Sequence, residues 1–389
     1  MGGWAARRGR ALSAPARTSI PSHHGIEPRG PRKVGKSTLL RQRFPKAKTY
    51  DLLNSEQRSR LLLRPHLLRE ELLARKHDLV VIDEIQRVPA LLDEVHWLIE
   101  NTRIRFLLCG SSARKLRHGA ANLLGGRAIR FELFPFTSHE LGELDLDRAL
   151  GHGLIPDHYL ATKPERALRG YVLDYLEQEI QAEALTRNVP AFTRFLEAVG
   201  VGHGGLLNYA NVGRDCGVSP KTVREYYQIL EDTLLGHTLP PWRKAKKRRL
   251  IETSKFYLFD PGIVRALRGM HRIERGSVEF GQAFEHFLIE EVRAYLSYSE
   301  KHLPLAFWRT STGYEVDLVV GDLDLALEFT SSRLVRPEKA KGLQALMGEH
   351  RVRRAVIVSL DPSPRKLPGG ILVLPWKEFC SGLWQGNWV

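Results

Sequence analysis

The spacing of apolar residues changes character twice along the chain. From residue 37 to about 137, stretches with apolar side chains at helical intervals alternate with short continuous apolar runs. Residues 37–43 read as a helix, 48–53 as a short strand, and 55–75 as a helix carrying leucines at helical spacing. Asp78-Leu79-Val80-Val81-Ile82-Asp83-Glu84 is a continuous apolar run closed by two carboxylates, the pattern of a strand buried on both faces. Residues 90–100 predict another helix and 104–109 another buried strand. The alternation predicts a parallel sheet covered by helices.

The middle, about 145–240, is mostly helical in pattern, with helices over 168–185 and 191–199. Residues 206–216, the turn Gly217-Val218-Ser219 and residues 220–235 predict helix, turn, helix, with Ser219 as N-cap and Pro220 at the first helical position. Residues 255–262 read as a strand and turn, and 269–276 as a linker. Farther on, 280–296 predicts an amphipathic helix, 307–310 and 314–320 paired strands, Gly321-Asp322 a turn, and 325–329 the returning strand. Apolar runs at 355–360 and 371–374 close the pattern.

Chemistry enters at Gly30-Pro31-Arg32-Lys33-Val34-Gly35-Lys36-Ser37-Thr38, which fits G-x-x-x-x-G-K-[ST] without mismatch. Two glycines let such a backbone curl its amides onto phosphate oxygens. Lys36 can then bridge the β- and γ-phosphates and the Ser37 hydroxyl can ligate Mg²⁺, while the following helix N-terminus adds positive potential. Asp83, at the end of its strand, can hold the Mg²⁺ shell, and Glu84 beside it can polarise an attacking water. Taken alone, Asp83-Glu84 would merely open a solvated loop; a complete phosphate loop upstream makes it a partner of that loop. Ser111 or Ser112 is placed to sense a γ-phosphate, or simply ends a strand, and Arg127 is a weaker charge-stabilising candidate than a solvated arginine. A phosphate loop hangs from a buried strand, yet residues 19–29 contain two prolines and two histidines. The strand is therefore expected to be missing, as through a truncated gene, a frameshift or a wrong start.

Composition narrows the partners. The formal net charge of +15 suits a polyanion, although a solvated basic surface has the same balance. Arg243, Lys244, Lys246, Lys247, Arg248 and Arg249 cluster just after the predicted helix-turn-helix, and Lys221 and Arg224 lie at the start of its second helix. These are the candidate DNA contacts; a linker and a helical lid are the alternatives. Cys109, Cys216 and Cys380 are too far apart for a disulfide framework or zinc site and fit a reducing cytoplasm. No apolar run approaches a membrane span. At the other end of the chain, Asp317 and Glu328 can face each other across a hairpin near Glu285, and three such carboxylates can hold Mg²⁺ for phosphodiester hydrolysis.

Residues 30–40, 79–89 (LVVIDEIQRVP), 107–116 (LLCGSSARKL) and 132–140 (ELFPFTSHE) resemble a group of prokaryotic AAA+-type P-loop ATPases. Their C-terminal half is a domain of unknown function similar to restriction-endonuclease-like, PD-(D/E)xK folds. The resemblance runs from residue 30 to about 373. It implies an α/β fold: a leader over 1–29, disordered or misassigned; a P-loop AAA+ core with a parallel sheet over 30–144; a helical and winged-helix-like region over 145–268; and a nuclease-like α/β domain over 278–389. It further implies ATP and Mg²⁺ as ligands of the core, with Lys36, Ser37, Asp83 and Glu84 in the roles above, and leaves a homo-oligomer open. Two departures stand out. No hydrophobic strand precedes Gly30, and the closing Glu-x-Lys of the nuclease-like motif is Glu328-Phe329-Thr330, with Arg333 or Lys339 as the nearest substitutes. The expected function is ATP binding and hydrolysis, with nucleic acid as the candidate substrate. The alternatives are an Mg²⁺-dependent nuclease with an attached ATPase, or an inactive binding remnant.

Overall fold

The computed structural model describes residues 25–110, 128–172, 188–243 and 253–389. The chain divides into two compact units: residues 1–136 with two short later segments, and most of 137–389.

The first unit is built on five parallel strands, β1 (Gly25–Arg29), β2 (Lys48–Asp51), β3 (Leu79–Asp83), β4 (Arg105–Cys109) and β5 (Ala128–Glu132), in the order β2-β3-β4-β1-β5. Helix α1 (Lys36–Arg43) follows the loop after β1, and α2 (Ser55–Leu63), α3 (Leu67–Leu73) and α4 (Leu91–Asn101) fill the other crossovers. β3 is buried on both faces, as its unbroken apolar run requires. Val80 and Ile82 pack with Leu61, Leu68, Leu72, Val95 and Leu98 of the helices, whereas Val81 packs with Leu40, Leu107 and Cys109.

Two expectations need correction here. The strand before the phosphate loop is present. β1 pairs with β5 over five residues, Gly25–Ala128 to Arg29–Glu132, and lies between β4 and β5. On its other side a single pair, Ile26–Leu107, joins it to β4. Pro28, which has no amide to donate, is accommodated where that second ladder has already lapsed. The helix expected over 55–75 is two helices, because Pro65 cannot continue α2 and biases Arg64 away from helical geometry.

The second unit begins with short helices α5 (Ser138–Leu141), α6 (Leu146–His152), α7 (Pro156–Tyr159) and α8 (Pro164–Gly170). The helix expected over 168–185 falls mostly outside the described residues. α9 (Val189–Val201) leads to α10 (Tyr209–Cys216), and α11 (Pro220–Asp232) follows a tight turn. Gly217 takes φ +69° there, and the Thr222 amide donates to the Ser219 hydroxyl at 3.1 Å, the expected cap. An antiparallel ribbon, β6 (Gly236–Leu239) and β7 (Lys255–Leu258), comes next. Helix α12 (Pro261–Leu267) begins in what the pattern read as the turn at the end of 255–262 and ends before the linker read at 269–276. After α13 (Val278–Tyr298), a mixed sheet gathers β8 (Leu305–Arg309), β9 (Glu315–Val320), β10 (Leu325–Phe329), β11 (Ala355–Ser359), β12 (Arg365–Lys366) and β13 (Leu372–Pro375) in the order β12-β13-β11-β10-β9-β8. Helices α14 (Lys341–Glu349) and α15 (Trp376–Trp384) complete the unit. Among the described residues no helix is long and apolar enough to cross a membrane.

Candidate functional site

In a parallel sheet the carboxyl ends of all strands share one edge, and ligands bind there. That edge of the first unit carries the loop after β1 and the Asp83-Glu84 corner after β3. The loop is sharply curled. Gly30, Lys33 and Gly35 all have left-handed backbones, at φ +156°, +60° and +93°. Such alternation turns successive amides into a concave anion nest. Gly30 has no room for a side chain, since a Cβ would lie 2.4 Å from the Leu133 carbonyl oxygen. Pro31 and Val34 are buried and anchor the loop, Arg32 is half-buried, and Lys33 is exposed. Ser37 and Thr38, half-buried, open α1. Lys36 is buried, and its ammonium donates to the carbonyls of Gly30 at 2.5 Å and Pro31 at 2.8 Å.

Asp83 is buried at the end of β3, in register with Cys109 of β4. Burial pushes the Cys109 thiol well above its usual range, the Asp83 carboxylate pushes it further, and Lys36 opposes. Glu84 also acts on that thiol, so Lys36, Asp83 and Glu84 share one electrostatic neighbourhood. Asp83 Oδ1 is buried without a hydrogen-bond partner, the demand a bound cation or its water shell satisfies. The donor set of Ser37 hydroxyl and Asp83 carboxylate therefore fits Mg²⁺. Ser111, Ser112 and Arg127 lie outside the described residues.

Residues 28–142 match the family model of an AAA domain. Residues 143–274 and 280–379 match two further models, each described as a domain of unknown function (DUF8612 and DUF4143). Uncharacterized protein Rv2008c of Mycobacterium tuberculosis and uncharacterized protein Mb2031c of Mycobacterium bovis are each 29% identical to this chain over 342 residues, 85% of this chain and 75% of theirs. The ORC1 protein of Aeropyrum pernix, solved in complex with DNA, is 13% identical, with a TM-score of 0.25 over 68% of this chain and 91% of its own. A signal transduction ATPase with numerous domains from Pyrococcus horikoshii is 12% identical, at 0.21 over 76% and 47%. At such scores neither structural likeness bears on this chain. The phosphate loop, Asp83 and Glu84 all fall inside the AAA domain.

The structure brings the three C-terminal carboxylates into one neighbourhood. Asp317 and Glu328 do face each other, one step beyond the Leu318–Leu327 pair of β9 and β10. Burial, then Glu285, pushes the Asp317 carboxyl up to about 8; burial, then Asp317, pushes Glu328 up to about 10. Asp317 Oδ2 accepts from the Phe329 amide at 2.8 Å. Glu285 lies beside this pair, as expected, and is itself engaged. It accepts from the Tyr257 hydroxyl at 2.6 Å and lies 3.8 Å from the Lys255 ammonium, which sits 2.5 Å from Glu315. Among the described residues no group of three or more His, Cys, Asp or Glu side chains can hold a metal ion. Lys255 is already the counter-ion of the cluster, on the wall of a cavity of about 260 Å³. Of the substitutes the sequence offered, Lys339 does act on Glu328, opposing the rise of its carboxyl; Lys255 was missed because it lies on a different strand pair and no local motif marks it.

Of the candidate DNA contacts, Lys221 and Arg224 are exposed at the start of α11, and the Arg224 guanidinium lies 5.0 Å over the Tyr209 ring. Arg243 is half-buried. Lys244, Lys246, Lys247, Arg248 and Arg249 lie outside the described residues.

Proposed function

We propose that this protein binds ATP with Mg²⁺ and hydrolyses it. The observation that supports this most is the convergence, within an AAA domain, of a curled phosphate loop and the Lys36, Asp83 and Glu84 side chains at the carboxyl edge of a parallel sheet. In this reading the loop amides of Arg32 to Lys36 cradle the phosphates. Lys36 exchanges the Gly30 and Pro31 carbonyls for phosphate oxygens, a trade of one set of acceptors for a more anionic one. Ser37 and Asp83 hold Mg²⁺, which neutralises phosphate charge. Glu84 orients and polarises the attacking water. Lys36→Ala is expected to abolish ATP turnover, measured as phosphate release. Wild-type protein that releases no phosphate from Mg-ATP would overturn the reading.

A second reading, action on DNA, draws on α10, the Gly217–Ser219 turn, α11 and the β6–β7 ribbon. This is the element order of a winged helix, with Lys221 and Arg224 exposed where a reading helix would meet phosphates. Replacing both by alanine is expected to weaken duplex binding and reduce the slope of log affinity against log salt by about 2. An unchanged slope removes these two side chains from any interface.

A further inference from the structure

The corner after β3 contains a residue that neither the phosphate loop nor the Asp83-Glu84 pair accounts for. Glu84 has a left-handed backbone, φ 60° and ψ 42°. A non-glycine residue pays about 1–2 kcal/mol for that conformation. The kink starts a single 3₁₀ turn, Ile85–Arg87, closed by the Arg87 amide donating to the Glu84 carbonyl at 2.9 Å. The turn buries Ile85 completely and leaves Gln86 8% exposed. Side chains two apart on a regular helix do not face each other. Here the kink brings them together, and Gln86 Nε2 donates to Glu84 Oε2 at 2.5 Å. While so bonded, the Glu84 carboxylate already acts on Cys109 beside Lys36 and Asp83. The contact therefore holds Glu84 at the mouth of the site.

We propose that Gln86 is the positioning residue for Glu84, fixing the carboxylate that orients the attacking water. The proposal rests on the ATPase reading. A glutamate loses up to about 2 kcal/mol of rotamer freedom when held in one geometry. A hydrogen bond to a charged acceptor contributes about 1.5–3 kcal/mol, enough to hold it. An amide is the appropriate donor. Its N–H fixes the orientation of the carboxylate through one directed bond. Burial of Gln86 fixes the donor, and the left-handed corner fixes the acceptor.

The test is steady-state ATP turnover across pH 5–9, with nucleotide affinity measured separately on a fluorescent ATP analogue. Gln86→Met keeps bulk and removes the donor. It is expected to lower kcat by about 10- to 100-fold with affinity within about twofold. Gln86→Asn, which keeps a shorter donor, is expected to recover part of the loss and serves if the methionine variant misfolds. Unchanged or increased kcat in both variants overturns the proposal. So does a fall in kcat matched by loss of affinity and melting temperature with no recovery in Gln86→Asn, which is the signature of a structural role. Wild-type protein that binds the analogue but turns over no ATP overturns the ATPase reading itself, and the proposal with it.

Discussion

Asp260 shows how much one side chain can organise. It is fully buried, and its carboxylate accepts four amides: Leu154 at 2.6 Å, Gly262 at 2.9 Å, and Ile155 and Ile263 at 3.2 Å. It thus caps α12 and ties that helix to the segment after α6. Burial still pushes the carboxyl up to about 6, against the pull of all four donors. Asp260→Ala would strand four buried amides, and a loss of about 2–4 kcal/mol in urea unfolding is expected. Asp260→Asn keeps the shape but turns an amino group toward amide donors, so most of that loss should remain. The cap was legible in principle, since Asp-Pro is a helix-start signal. It was read as a strand and turn because α12 has only seven residues, and Ile263, Val264, Arg265 and Leu267 are buried on every side, leaving no amphipathic period.

Elements failed where tertiary context overrode composition. Gly25-Ile26-Glu27-Pro28-Arg29 has little strand propensity, yet it forms β1, because the ladder to β5 requires only a backbone with amides on that side. β3 and β4 were legible for the opposite reason: strands buried on both faces must be apolar at every position. The phosphate loop depends on β1 reaching its place, and Gly30 is where the two meet. Its φ of +156° and the 2.4 Å approach of the Leu133 carbonyl to a would-be Cβ mean that any side chain must push β5 away or uncurl the loop. Gly30→Ala is expected to weaken ATP binding by at least about tenfold and to lower the melting temperature. Both follow in a titration with a fluorescent ATP analogue and a thermal scan; wild-type affinity in the variant would show that the loop does not depend on this contact.

At the scale of the whole molecule, the nucleotide site was readable because its parts are contiguous in sequence. The second unit's ionic centre was not, because it joins residues from three elements that only folding brings together: Lys255 of β7, Glu285 of α13, and Glu315 and Asp317 of β9. Buried histidines form a second long-range group. The Leu258 amide donates to His203 Nδ1 at 3.2 Å, and His286 Nε2 meets the Leu258 carbonyl at 2.5 Å, an arrangement that suits two neutral rings. Burial holds His203 and His237 well below the usual range and His286 at about 3. The two groups drive stability in opposite directions with pH. Unfolding lets the histidines bind protons near 6.5, so their contribution is complete above about pH 7 and is lost as pH falls. Unfolding lets Asp317 and Glu328 release protons near pH 4, so theirs is complete in acid and is lost as pH rises toward 8 and beyond. Between about pH 7 and 8 the histidines are neutral in both states and the thiols of the unfolded chain are still largely protonated. The carboxyl pair and Glu291, which burial pushes up to about 7, are then the main sources of slope, at most about 1.4 kcal/mol per pH unit for each proton held, and the double variant removes only the pair. A variant carrying Asp317→Asn and Glu328→Gln should therefore lose less stability than wild type from pH 7 to 8. Below 6.5 it should lose more, since the opposing carboxyl contribution is gone and the histidines act unchecked. Urea unfolding followed by tryptophan fluorescence reads both windows, and equal slopes in wild type and variant from pH 7 to 8 would show that the pair does not hold its protons in the folded state.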